Sequence, residues 1–250
     1  MATLHATRVL VLLAAAGGLA AGQTKEVHKT LPLAADGRVW VDTYKGSVRV
    51  TTWDRPEVQV DVRIEEDRGP FAGPVAYADA RIEARGGGVE IESTFNRWKT
   101  PFGIGGSMPF FHYTIRMPRG ARLRIDDYKS ESDVQGLAAD LEVKTYKGRV
   151  RVLGLEGALR AETYKGEVRA EFVRYGGRSS VNTYKGRVEL ELPPGSAFDL
   201  RTDLGKKAHF DADFTSSLRR SRRAGVERIN GGGPELRVQS YKGTLRVLER

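Results

Sequence analysis

Along most of the chain the apolar residues fall on every second position. Leu141, Val143 and Thr145 alternate with Glu142 and Lys144, and Val150 and Val152 flank Arg151 after a short break. A period of two is the signature of a strand with one buried face. The pattern recurs at Val39 and Val41, at Val48 and Val50, and from Val58 to Ile64. Ala80 to Ala84 and Val89 to Ser93 flank Gly86-Gly87-Gly88 and predict a hairpin. His112 to Met117 predicts one more strand, ended by Pro118-Arg119-Gly120. No stretch carries a convincing 3.6-residue period, so the chain reads as all-β.

The breaks between strands repeat. Thr-Tyr-Lys-Gly stands at 43–46, 145–148, 163–166 and 183–186, with Ser240-Tyr241-Lys242-Gly243 and Asp127-Tyr128-Lys129-Ser130 as close variants. Tyr128, Tyr146, Tyr164 and Tyr184 are spaced by 18, 18 and 20 residues, and Leu204-Gly205 is a degenerate copy 20 further on. Two short strands and two turns fill such a period, with Gly154 and Gly157 at the second turn. Each repeat is then one coil, and no coil buries its apolar face without neighbours. This predicts a single-domain β-solenoid of right-handed parallel coils, with an N-terminal antiparallel strand and hairpin region. Gly at the bend is expected to supply the positive φ of a type II turn, with Lys solvated before it. Alternation places Thr145 inward and turns Tyr146 outward, so the tyrosines are expected to form an outside column.

The first residues carry Arg8, an apolar run from Val9 to Ala16 and small residues ending at Ala20-Ala21-Gly22. This predicts a signal peptide over 1–22 and an exported chain, periplasmic, extracellular or at the cell surface. The apolar and small stretch is 13 residues, short of the roughly 20 of a spanning helix. Retention as an anchor is the alternative; after cleavage no membrane span is expected. The domain then covers 23–250, with N-terminal strands at 38–118 and Tyr-Lys-Gly coils at 121–250. Cysteine is absent, which excludes disulfides and a lipid-modified Cys and leaves stability to the core. The formal net charge is +9, and the leader removes only Arg8 from that balance. A basic exported chain tends to meet an anionic envelope polymer, a lipid surface or an envelope protein.

Trp53-Asp54-Arg55 after the first strand pair, Met117-Pro118-Arg119-Gly120, the tandem Thr-x-x-Gly coils and Asn230-Gly231-Gly232-Gly233-Pro234 carry a resemblance. The arrangement, over about 27–250, resembles a bacterial family provisionally named for adhesion, a domain of unknown function also grouped with toast-rack solenoids. The resemblance implies an exported β-solenoid and brings no catalytic signature. Members usually carry Asn-Gly or Ser-Gly where this chain has Lys-Gly, and Val or Ser where it has Tyr.

Little else points to chemistry. His28, His112 and His209 have no partner at metal-ligand spacing, so neither a metal nor a cofactor is expected. Asp126-Asp127 is the one carboxylate pair of interest, and it reads as a hydrogen-bond acceptor in the Thr slot. Nucleic acid is not an expected partner, since no recognition fold is present. The candidate ligand-binding residues are Tyr44, Tyr128, Tyr146, Tyr164, Tyr184 and Tyr241 with Lys45, Lys129, Lys147, Lys165, Lys185 and Lys242. They would hold an anionic glycan or lipid face; the plain alternative is a stacked edge whose lysines block strand addition. Phe95, Trp98, Phe102, Phe110 and Phe111 form a candidate partner loop or a cap on the open end, and Arg219, Arg220, Arg222 and Arg223 a weaker anion patch. The function expected is a non-catalytic, adhesin-like binding module. The alternatives are a structural solenoid that self-associates or docks on an envelope protein and, last, an enzyme acting on polysaccharide. Oligomeric state is not legible.

Overall fold

The computed structural model describes residues 9–10 (backbone), 24–68, 72–96, 107–212, 214 and 226–250. Nearly all of the predicted leader and the whole arginine patch at 219–223 lie outside them. The strands are β1 (Val9–Leu10), β2 (Thr24–Pro32), β3 (Arg38–Trp53), β4 (Glu57–Glu65), β5 (Ala78–Arg85), β6 (Gly88–Phe95), β7 (Phe110–Pro118) and β8 (Arg122–Gln135). There follow β9 (Leu141–Thr145), β10 (Arg149–Leu155), β11 (Leu159–Thr163), β12 (Glu167–Phe172), β13 (Ser179–Thr183) and β14 (Arg187–Leu192). The chain ends with β15 (Phe198–Leu204), β16 (His209–Ala212), β17 (Val226–Ile229), β18 (Glu235–Ser240) and β19 (Thr244–Glu249). The architecture is all-β, and the strands form one mixed, curled sheet.

Two parallel ladders run side by side. Strands ahead of each Tyr-Lys corner pair in the order β6, β3, β8, β9, β11, β13, β18, β15. Strands after it pair as β7, β3, β8, β10, β12, β14, β19, β16. Between them lie the alternate Val, Leu, Ile and Ala side chains, buried almost without exception. The expected N-terminal antiparallel region is corrected: β5 with β6, β4 with β7 and β2 with β4 are antiparallel, whereas β3 is parallel to β6, β7 and β8. β3 must be parallel there because it continues the ladders into that end. The motif segments meet at this junction, where Trp53 is in register with Pro118 and its carbonyl accepts from the Arg119 N–H.

The final repeat is out of sequence order. β18 and β19 sit between the 179–192 repeat and the 198–212 repeat, so Tyr241, and not Leu204, follows Tyr184. Tyr241 brings a ring to stack on Tyr184, at 5.1 Å, and Leu204 has none to offer. β17 then covers the outer side of β15 as an antiparallel strand.

Candidate functional site

Each corner is built from its Thr, its Gly and the repeat stacked on it. Thr43, Asp127, Thr145, Thr163, Thr183 and Ser240 fall in one row across the ladder. The Thr145 and Thr163 hydroxyls accept the N–H of Gly148 and Gly166 at 2.8 and 2.7 Å, which closes the corner locally. The corner backbone also bonds to the next repeat: the N–H of Lys147, Lys165, Lys185 and Lys242 reach the Tyr carbonyl of the neighbouring corner at 2.9–3.0 Å.

Gly46 has the expected positive φ, at 132°, but the other corner glycines are needed for a different reason. Gly148, Gly166, Gly186 and Gly243 are not among the residues at positive φ. A Cβ on Gly166 would instead stand 2.3 Å from the Gly148 carbonyl oxygen and 2.5 Å from Thr163 Oγ1. Glycine is required by the close approach of stacked corners. Positive φ is used at the second turn of the repeats, at Gly136 and Gly154.

The six tyrosines form a continuous stack on the outside. Tyr44, Tyr128, Tyr146, Tyr164, Tyr184 and Tyr241 follow one another at 4.7–5.1 Å with planes within 13° of parallel. Tyr44 therefore joins the same column. The spacing is that of the strands themselves, so the ladder sets the stack. Each contact contributes about 0.5–1.5 kcal/mol. Neighbouring rings cover the faces of the inner four, which leaves their edges to solvent; a ligand meets an open face only at the ends.

Beside this ridge run Lys129, Lys147, Lys165, Lys185 and Lys242. The ammonium groups of Lys147, Lys165 and Lys242 lie 5.2–5.6 Å from the centroids of their own tyrosine rings. Among the described residues none of the five lysines forms an ion pair. The neighbouring outward row is different: Glu131, Arg149, Glu167 and Arg187 alternate in sign, and Arg149 reaches both glutamates at 3.6–3.9 Å. The lysine row holds like charges in register. Ammonium groups one repeat apart repel by about 0.8 kcal/mol per pair in water before salt screens them.

Lys45 is not part of that row, a correction to the sequence reading. In β3 the alternation continues through Thr43, Tyr44 and Lys45, which turns Tyr44 out and Lys45 in, at 6% exposure. Its ammonium donates to Asp67 Oδ2 at 2.7 Å and Ser107 Oγ at 2.8 Å and lies 4.4 Å from the Phe110 ring. The hydrogen bond from Lys45 holds the Asp67 carboxyl below its ordinary range, and Ser107 adds to the effect.

The aromatic segment also divides differently. Phe111 is fully buried in β7 and Phe95, ending β6, packs on the core, so neither is free to enter a partner; Phe110 is half-buried against Lys45. Trp98 and Phe102 lie outside the described residues.

Asp127 replaces Thr in the inward row. Its Oδ1 accepts from the Ser130 N–H at 2.9 Å and from Thr145 Oγ1 at 3.0 Å. Burial pushes the carboxyl up to about 6 against those two stabilising bonds. Among the described residues no three His, Cys, Asp or Glu side chains are placed to share a metal ion.

One set of residues does not stand out in the sequence. On the side of the ridge away from the lysines lies a groove of about 950 Å³, floored by the Thr row and walled by the residue ahead of each Thr, such as Asp42, Asp126, Lys144 and Glu162. The signal for it was present, since alternation turns that residue outward in every repeat.

Neither a family model nor a curated protein matches the sequence. Solved structures do. A provisionally named cell adhesion protein from Clostridium sporogenes ATCC 15579 is 10% identical with a TM-score of 0.52, over 91% of this chain and 100% of that one. A provisionally named lipid binding protein from Parabacteroides distasonis ATCC 8503 is 10% identical, TM-score 0.40, over 90% and 98%. A provisionally named adhesin from Bacteroides fragilis NCTC 9343 is 10% identical, TM-score 0.36, over 90% and 97%. The clostridial likeness establishes a shared fold and nothing finer. The clostridial protein's name agrees with the family that the motifs resemble.

Proposed function

We propose that this chain is a non-catalytic, exported binding module of the cell envelope, a right-handed parallel β-solenoid whose Tyr-Lys ridge lies along an anionic partner, a glycan or a lipid surface. The observation that carries the reading is the row of five lysines, without an ion pair among the described residues, on corners stacked at strand spacing. Surfaces that need only solubility are served by rows of alternating sign, as the adjacent Glu-Arg row is. A row of one sign raises the free energy of the isolated chain, and an anionic partner removes that repulsion on binding. The tyrosines keep the corners in register and present a polar edge beside the charges. No helix among the described residues is long and apolar enough to cross a membrane. The cell adhesion and lipid binding names of the structural neighbours agree with a binding role and select no ligand.

The test uses a variant with Lys129, Lys147, Lys165, Lys185 and Lys242 all changed to Ser. Retention of the wild-type chain on polyuronate resin and on vesicles containing anionic lipid is compared with that of the variant over a range of salt. Retention that falls with salt and is lost in the variant supports the reading, and the two supports separate a glycan from a lipid source. Equal retention of the two proteins, or salt-independent self-association of both, contradicts it.

A further inference from the structure

The groove differs from the lysine ridge in charge as well as position. None of the five ridge lysines lines it. Its outer wall carries Asp42, Asp126, Glu162 and Asp203 against the single ammonium of Lys144, with the amides of Asn182 and Gln239 between. The ladder register sets these side chains one strand spacing apart. Along the ridge the groove extends for five ring-to-ring steps of 4.7–5.1 Å, about 24 Å at strand spacing.

Acceptors outnumber donors at the end beside Tyr44 and Tyr128. Trp40 Nε1 and Arg124 Nε both donate to Asp126 Oδ2, at 2.8 Å each. Asp126 Oδ1 and Asp127 Oδ2 are buried and accept nothing among the described residues. The exposed Asp42 and half-buried Asp126 carboxylates favour a ligand rich in N–H groups at this end. Burial, together with the charges of Asp126 and Glu92, also holds the Asp42 carboxyl above its ordinary value, and an ammonium nearby would relieve that.

The form of the occupant follows from the fold. The groove is straight and periodic, which matches a linear polymer with a short repeat. The backbone ladders are already paired beneath it, so a peptide strand has no edge there to join. The inner tyrosine faces are covered, so recognition rests on hydrogen bonds and charge. A polyanion that follows the lysines is repelled by this wall. We propose that the groove binds a linear glycan of amino sugars with free amines, the ammonium groups beside Asp42, Asp126 and Glu162 and the hydroxyls on Asn182 and Gln239.

The inference stands independently of the lysine ridge, and calorimetric titration of the full chain tests it. A glucosamine hexamer is expected to bind, and its fully N-acetylated counterpart to bind at least about tenfold more weakly, as loss of a close charge pair commonly produces. Asp42→Asn combined with Glu162→Gln should lower affinity for the amine form by about tenfold or more, with a melting temperature no lower than wild type, because both side chains are exposed and the Asp42 charge is already disfavoured by its neighbours. Asn182→Leu should also weaken it. Equal affinity for the two hexamers, undiminished affinity in the double variant, or an oligolysine peptide bound as tightly as the glycan would overturn the proposal.

Discussion

Asp127 occupies a slot that the other repeats fill with Thr43, Thr145, Thr163, Thr183 and Ser240, and Asp127→Asn is expected to stabilise the chain at neutral pH. Burial raises the carboxyl from its ordinary 3.8 to about 6, a rise equivalent to about 3 kcal/mol at 1.36 kcal/mol per pKa unit. Asn keeps Oδ1 for the Ser130 N–H and Thr145 hydroxyl. Its amide nitrogen enters the place of Oδ2, buried and unpartnered among the described residues, which takes back about 1 kcal/mol. The net gain is about 2 kcal/mol, or about 4–8 °C in Tm for a domain of this size. The sign with pH is fixed. Below 3.8 the folded and unfolded chains both hold the proton, and wild type carries no penalty. Between 3.8 and about 6 the folded chain keeps a proton that the unfolded chain releases, so wild-type stability falls as pH rises through that window, and the penalty is complete above it. Urea unfolding of both proteins across that range measures the difference directly. A gain that is the same below the window as above it, or a variant less stable at neutral pH, would refute the reasoning.

Three further outcomes follow from the corners. Gly166→Ala places a Cβ 2.3 Å from a backbone oxygen; it should destabilise by about 2 kcal/mol or more, seen as a lower urea midpoint, whereas Ala at Gly87, where nothing approaches, should act only through its positive φ. Lys45→Met removes a buried partner of Asp67 and should lower stability by about 2 kcal/mol, with the Asp67 carboxyl returning toward its ordinary value in an NMR titration. Tyr164→Ala breaks two ring contacts and should lower stability by about 1–3 kcal/mol, by thermal unfolding, with the strand signal in circular dichroism retained.

The repeat was legible because its determinants are local. Alternation fixes which side chains turn inward, so Thr145 and Tyr146 could be placed from sequence, and the stack follows once strands pair in register. What was not legible depends on what lies across the ladder. Thr43-Tyr44-Lys45-Gly46 has the same letters as 163–166, yet Gly46 abuts Phe111 and the 67 and 107 segments supply partners for Lys45, which continues the strand and buries the lysine. A single repeat points to φ for its glycine, because the contacts between repeats that require it at Gly148, Gly166, Gly186 and Gly243 are invisible within one repeat. Phe111 stands next to a Gly-rich aromatic segment that suggests a loop, yet the period-two pattern of Tyr113 and Ile115 extends back to it. The insertion of the last repeat reverses sequence order, and only the missing ring at Leu204 hinted at it.

The central claim is that the five lysines act together as one anionic-polymer site. The measurement that tests it most directly is the salt dependence of binding to a polyuronate as Lys129, Lys147, Lys165, Lys185 and Lys242 are changed to Gln one after another. If the ridge is the site, each substitution weakens binding and flattens the dependence of affinity on salt by a similar step, because each removes one screened charge contact. A salt dependence that stays the same after all five substitutions would contradict the account.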